Sequence, residues 1–198
     1  NWLPFHVKTC DPLRSSNYWP SSPSLGWGRK ESYTRGDVHY WGVWWGMEPF
    51  ESYNTKVGRF VSEYGFQGMP ALNTFRKFAH DSDLNLQSKV VLNHQKHPRG
   101  YPTIQTYLER DFKTPKQFEN YIYTSQILQA EGLETAIEAH RRAQPYCMGT
   151  LYWQLNDCWP VTSWSSIDYY NNWKASQYQV KRSYASKLLS IYAHDSAI

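Results

Sequence analysis

Residues 58–68, Gly58-Arg-Phe-Val-Ser-Glu63-Tyr-Gly-Phe-Gln-Gly68, decide how the fold is read. The apolar run from Arg59 to Glu63 reads as a short strand that ends on a carboxylate and gives way to a Tyr-Gly turn. Similar runs flank it. Asp37 to Trp45 (Asp-Val-His-Tyr-Trp-Gly-Val-Trp-Trp) is a strand whose end is crowded with aromatic residues. Tyr146 to Leu155 (Tyr-Cys-Met-Gly-Thr-Leu-Tyr-Trp-Gln-Leu) has the composition of a strand buried on both faces. Ser16 to Ser21 reads as a strand end entering a Ser/Pro/Gly loop that continues to about residue 36.

Helical patterns separate these strands. Residues 83–97 and 102–112 have helical spacing, and a long helix is expected from Pro115 to about Arg142. Thr114-Pro115-Lys116-Gln117 suggests an N-cap Thr, Pro at the first helical position and Gln at the capping-box position. Phe118, Tyr121, Ile122, Ser125, Leu128, Leu133, Ile137 and His140 form one stripe, read as core packing. Pro145 ends the helix, and a last one is expected over about Trp173 to Lys187. Alternating strands and helices argue for an α/β fold with parallel strands and helices outside. Four strands are visible, whereas a closed barrel of this kind takes eight strands and about 250 residues. The pattern is that of a partial (β/α)8 TIM barrel.

Composition narrows the function. Lys and Arg number 21 against 17 Asp and Glu, a net charge of +4 spread along the chain, too little for a nucleic-acid surface. No apolar run approaches the roughly 20 residues that cross a bilayer. The start, Asn-Trp-Leu-Pro-Phe-His, has neither a signal-peptide pattern nor an initiator Met, as expected of a processed product or an internal piece. Cys10, Cys147 and Cys158 have no metal-ligand spacing, and their odd number gives no disulfide framework. His94 and His97, three apart on the expected helix, lack a third ligand and read as a solvated helix end. No metal or cofactor is expected, and the compartment stays open.

Aromatic content is the outlier, with 10 Trp, 16 Tyr and 8 Phe among 198 residues. Aromatic faces fill cores, and they also pack against the C–H face of sugar rings. A carboxylate at a strand end among such residues suits attack on a sugar, and glycoside hydrolysis normally needs a second carboxyl group as well. For Glu63 the alternative is a structural carboxylate paired to an Arg in a loop.

Six segments carry a specific resemblance. Asp37-Val-His-Tyr-Trp-Gly-Val-Trp44, Phe60-Val-Ser-Glu-Tyr-Gly-Phe-Gln67, His140-Arg-Arg142, Cys147-Met-Gly-Thr-Leu-Tyr-Trp-Gln-Leu-Asn-Asp157, Ser163-Trp-Ser-Ser-Ile-Asp168 and Trp173-Lys-Ala175 resemble, in order, segments of the β-mannosidases of glycoside hydrolase family 2. The resemblance covers roughly residues 16–186. It implies a large multidomain retaining exo-glycosidase acting on terminal β-D-mannose, with this chain supplying strands five to eight of the barrel and their helices. Residues 1–186 would be the C-terminal half of the catalytic domain, and 187–198 would lead into a following β-sandwich. Bacterial relatives of this kind suggest a periplasmic or cytoplasmic role in polysaccharide degradation.

By the same resemblance Glu63 is the nucleophile at the end of strand seven and Trp153 floors the pocket for the terminal mannose. Trp45 and Trp41 wall that pocket, and His39 bonds a substrate hydroxyl. Barrel core for Trp153, plain packing for Trp45 and a satisfied buried histidine for His39 are the bland alternatives. Trp45 stands where some relatives carry another aromatic residue such as Tyr, whose hydroxyl contact would be lost here. Asn156-Asp157 is expected to hold the loop after strand eight by short side-chain-to-backbone bonds.

The family's general acid/base is the Glu of an Asn-Glu pair after strand four, and this chain has no Asn-Glu dipeptide. The chain alone is therefore expected to be inactive, and to associate with the missing half of the barrel or with itself. A β-mannoside oligosaccharide is the expected substrate of the parent protein. The other classes that fit are a non-catalytic carbohydrate-binding protein and another family 2 activity such as exo-β-glucosaminidase.

Overall fold

Three short strands, β1 (Leu25–Gly26), β2 (Val38–His39) and β3 (Val61–Glu63), pair in parallel in the order β1-β2-β3. They belong to a computed structural model of the chain that describes residues 2–192. Among those residues the helices are α1 (Trp2–Cys10), α2 (Leu72–Phe75), α3 (Lys89–Asn93), α4 (Gly100–Asp111), α5 (Phe118–Arg142) and α6 (Ala175–Ser183). The architecture is α/β, a small parallel sheet with helices packed around it.

The ladder between β2 and β3 is irregular where it matters. Val38 pairs with Val61, but His39 pairs with Glu63, so Ser62 is an extra residue on β3. A bulge of this kind re-aims the side chains beside it. Here it sets Glu63 opposite His39, with backbone bonds Val38 N–H to Phe60 O and Tyr40 N–H to Glu63 O holding either side.

Beyond β3 the ladder continues onto residues 148–153. Met148, Leu151 and Trp153 donate to the carbonyls of Arg59, Val61 and Tyr64, and Val61 donates to Gly149 O. The segment expected as a strand over Tyr146–Leu155 thus pairs with β3, although only Thr150 forms a bridge. It is not buried on both faces: Met148, Leu151 and Leu155 are all exposed, because no described residue covers that side.

The first strand differs from expectation. Ser15–Asn17 is a 3-10 turn, and the chain pairs later, at Leu25–Gly26. Pro20 and Pro23 have no N–H to give a ladder, which moves the strand past both. Helix α1 has no buried residue, so no core-facing stripe marked it in the sequence.

Helix α5 carries the core. Tyr121, Ile122, Ser125, Leu128, Leu133, Ile137 and His140 are buried as the stripe predicts, and Phe118 is half-buried. Burying a Leu or Ile side chain stabilises by roughly 1.5–3 kcal/mol, so this face accounts for most of the helix's attachment. Gly132 lets the helix approach the 3-10 turn Phe50–Asn54: a Cβ there would lie 2.8 Å from Phe50 Cε1. Phe50 in turn stacks on Tyr107 and meets Phe66 edge-on.

Two helix boundaries move. α5 starts at Phe118 with Gln117 as an uncapped N-cap, because the Thr114 hydroxyl is taken by Gln105 Nε2 and the Gln117 side chain by Asn120. The span 83–97 is not one helix. Ser88 caps the short α3 through Val90 N–H, and then His94 O and Lys96 N–H pair with Thr162, pulling the chain out of helical form. α4 begins two residues before its expected start, at Gly100, and α6 lies within its expected span, trimmed to Ala175–Ser183.

Candidate active site

Glu63 ends β3, partly exposed, and Trp41 follows the paired end of β2. The Trp41 indole Nε1–H donates to Glu63 Oε1 at 2.9 Å, and His39 Nδ1 lies 3.5 Å from the same oxygen. Three of the residues singled out in the sequence therefore meet at one atom. The Arg pairing that would have made Glu63 a structural carboxylate is absent among the described residues.

Trp153 is drawn to the same strand end. Its N–H donates to Tyr64 O, one residue past Glu63, and the residue is 42 % exposed. The Trp153–Gln154 peptide is cis. Gly65 makes the approach possible, since a Cβ there would land on the Trp153 carbonyl oxygen. Trp45 is separate. It is 44 % exposed, meets His97 edge-on and opens onto a cleft of about 210 Å³ shared with Met47, Arg99 and Thr103.

Residues that the sequence reading passed over support this group. Asp37 accepts from Ser22 Oγ, Ser62 Oγ and Ser24 N–H. Partial burial pushes its carboxyl up, but those hydrogen bonds outweigh it and hold Asp37 below the usual carboxylate range. Its position two residues before His39, on the same face of a strand, was the available signal. Trp164 is buried edge-on against both Trp41 and Trp44, with its Nε1 unpartnered.

Behind the site lies a buried polar scaffold. The Gln129 amide of α5 donates to the carbonyls of Phe66, Trp164 and Ser165, and its oxygen accepts from Ser176. Lys174 donates to Gly68 O and Ser163 O. Burial pushes its ammonium down to about 8, against the opposing pull of Asp157 and Asp168. Asp157 anchors the loop after Trp153, but through side chains rather than backbone: Ser163 Oγ at 2.6 Å and Lys96 Nζ at 3.2 Å. His94 and His97 diverge, one stacked on Phe78 and bonded to Pro160 O, the other against Trp45. They make no joint site.

No family model matches the chain. It is 37 % identical over 195 residues to a β-mannosidase B of Thermothelomyces thermophilus and 38 % identical over 188 residues to one of Aspergillus niger, in each case 91 % of this chain and 22 % of the relative. The fold matches a crystal structure of a β-D-mannosidase from Dictyoglomus thermophilum with a TM-score of 0.78 and 43 % identity, covering 84 % of this chain and 20 % of that one. Exo-chitosanase CsxA of Amycolatopsis orientalis shares the fold at 18 % identity, TM-score 0.58, over 69 % of this chain.

The parallel strand β3 thus ends on a carboxylate held by an indole N–H among exposed aromatic residues. The chain spans about a fifth of the length of the relatives it matches. Over most of its own length it matches one segment of proteins named β-mannosidases.

Proposed function

We propose that the chain is the strand-five-to-eight half of the (β/α)8 catalytic barrel of a retaining exo-β-mannosidase, with Glu63 as nucleophile. One observation carries the reading: Glu63 sits at the carboxyl end of β3, where barrel enzymes place their chemistry, with Oε1 held by Trp41. On this reading β1, β2, β3 and the Thr150 segment are strands five to eight. Residues 1–186 form the half-domain and 187–198 lead into the next one, the part beyond 192 lying outside the described residues.

The ionised Glu63 attacks the anomeric carbon of a terminal β-mannoside, a general acid from outside this chain protonates the departing oxygen, and water then cleaves the glycosyl-enzyme with net retention. Trp153 offers an exposed ring beside the nucleophile on which the C–H face of the sugar packs. Trp45, edge-on to His97 and open to the cleft shared with Met47, serves as an outer wall. The mannose assignment follows the relatives at 37–43 % identity rather than the glucosamine-acting neighbour at 18 %, whose likeness carries the fold alone. The preceding half of the barrel is the partner, covering the outer edge at Thr150 and exposed Met148, Leu151 and Leu155.

The test is the full-length parent protein with Glu63→Gln, assayed on an aryl β-mannoside. Removing a catalytic carboxyl costs at least about 10²–10⁴-fold in rate, and a variant that keeps normal turnover overturns the assignment.

A further inference from the structure

The contacts beyond His39 extend the reading of Glu63 as nucleophile, and the inference rests on that reading. His39 Nε2 lies 3.2 Å from Ser22 Oγ, and Ser22 Oγ lies 2.6 Å from Asp37 Oδ2. Ser62 Oγ, from the bulged residue of β3, reaches the same Asp37 oxygen at 2.6 Å, and Ser24 N–H occupies the other. A hydroxyl has one proton to give, and an ionised carboxylate only accepts. Ser22 therefore donates to Asp37 and accepts from His39, which places a proton on His39 Nε2.

That leaves His39 Nδ1 facing Glu63 Oε1. At 3.5 Å this is an ion-pair contact when the ring carries its second proton, and Nδ1–H then faces Oε1. Trp41 Nε1–H already donates to Oε1, and no described residue donates to Oε2. The two carboxylate oxygens are thus unequal.

We propose that His39, oriented by Ser22 and Asp37, is a positioning residue that together with Trp41 pins Oε1 of Glu63 and leaves Oε2 as the attacking oxygen. The Oε2–anomeric carbon bond forms as the bond from that carbon to the departing oxygen breaks, and the departing oxygen takes its proton from the general acid outside this chain. Oε1 becomes the carbonyl oxygen of the glycosyl ester, still facing the Trp41 and His39 N–H groups. This differs from a contact between His39 and a substrate hydroxyl, because His39 then acts through Glu63.

The two roles separate in inactivation kinetics of the full-length parent protein with 2-deoxy-2-fluoro-β-D-mannosyl fluoride. Mass spectrometry of the wild-type protein must first find the label on Glu63; a label elsewhere, or none, defeats the nucleophile reading itself. With Glu63 labelled, His39→Asn and His39→Gln decide the inference, since the Asn amide nitrogen occupies the place of Nδ1 and that of Gln the place of Nε2. The expected result is a kinact lowered on the order of 10²-fold in His39→Gln, largely recovered in His39→Asn, with KI unchanged in both. Ser22→Ala is expected to slow labelling in the wild-type background and to add nothing in His39→Asn, where the chain to Ser22 is already cut. If Asn does no better than Gln, if the loss falls on KI, or if Ser22→Ala is additive with His39→Asn, the positioning role is wrong.

Discussion

Trp41 and Glu63, which stand on neighbouring strands, are joined by a 2.9 Å hydrogen bond from the indole Nε1 to Oε1. The bond depends on the bulge at Ser62. Without the extra residue His39 would pair with Ser62, and the side chain of Glu63 would turn to the other face of the sheet. Trp41 is itself nearly buried, edge-on to Trp164, so its donor is fixed before any substrate arrives.

Trp41→Phe in the full-length protein keeps the ring packing and removes the donor. A hydrogen bond to a charged group is worth about 1.5–3 kcal/mol, and its loss is expected to lower kcat on an aryl β-mannoside by roughly 10–100-fold. KM should change little, because the bond is made to Glu63 and not to the sugar. Steady-state kinetics of the variant check both parts.

Gly65→Ala tests the approach of the Trp153 segment to β3. The added methyl meets the Trp153 carbonyl oxygen, which is backbone and cannot swing aside. Overpacking of this kind costs about 1–3 kcal/mol. Displacing Trp153 by even about 1 Å is expected to lower kcat/KM on the order of 10²-fold. Thermal unfolding and kinetics of the variant read the two effects separately, and a Gly65→Ala protein with normal kcat/KM would show that Trp153 does not floor the site.

The parts of the fold that were legible were those set by periodicity. The α5 stripe was visible because the same helix face is buried over most of its length, and β3 because an apolar run ends on a charge. Helix boundaries were not, since they turn on which partner claims a side chain: Thr114 was taken by Gln105, a residue on another helix. The bulge at Ser62 leaves no mark in composition. Asp37 and Ser22 were passed over because their importance comes from meeting His39 across the sheet, and Ser22 lies in a loop with no period to read. Trp45 and Trp153 look alike as exposed tryptophans in a motif, and only the backbone bond to Tyr64 O ties the main chain of Trp153 to the end of β3.

His140 makes the chain sensitive to acid. Its ring is buried, Nδ1 lies 2.8 Å from Thr150 Oγ1, and burial pushes its pKa down to about 3. The unfolded chain binds a proton on this group below about 6.5, while the folded chain resists until about 3. Between those values the unfolded state holds more protons, so stability rises with pH and is lost as pH falls. His140→Phe is expected to be less stable at neutral pH, through loss of the Thr150 partner, yet to lose less stability than wild type between pH 6.5 and 4. Urea unfolding of both proteins across that range measures the difference, and parallel curves would mean that His140 is not the titrating group.

The outer edge at Thr150, whose carbonyl accepts from the Tyr184 hydroxyl but pairs with no strand among the described residues, sets the last expectation. Met148, Leu151 and Leu155 expose apolar side chains along a segment whose backbone pairs on one side with β3. An unpaired edge flanked by apolar surface is a template for another strand. On the proposed reading that strand comes from the preceding half of the barrel, which also carries the acid/base carboxyl. The purified chain is expected to show no turnover of an aryl β-mannoside, and to gain it when co-expressed with the preceding half. Leu151→Asp places a charge on the same surface, and it should reduce both co-purification and the recovered turnover while leaving Glu63 and Trp41 untouched. Turnover by the chain alone would mean that a local carboxyl replaces the missing one. Equal recovery with Leu151→Asp would place the partner on another face.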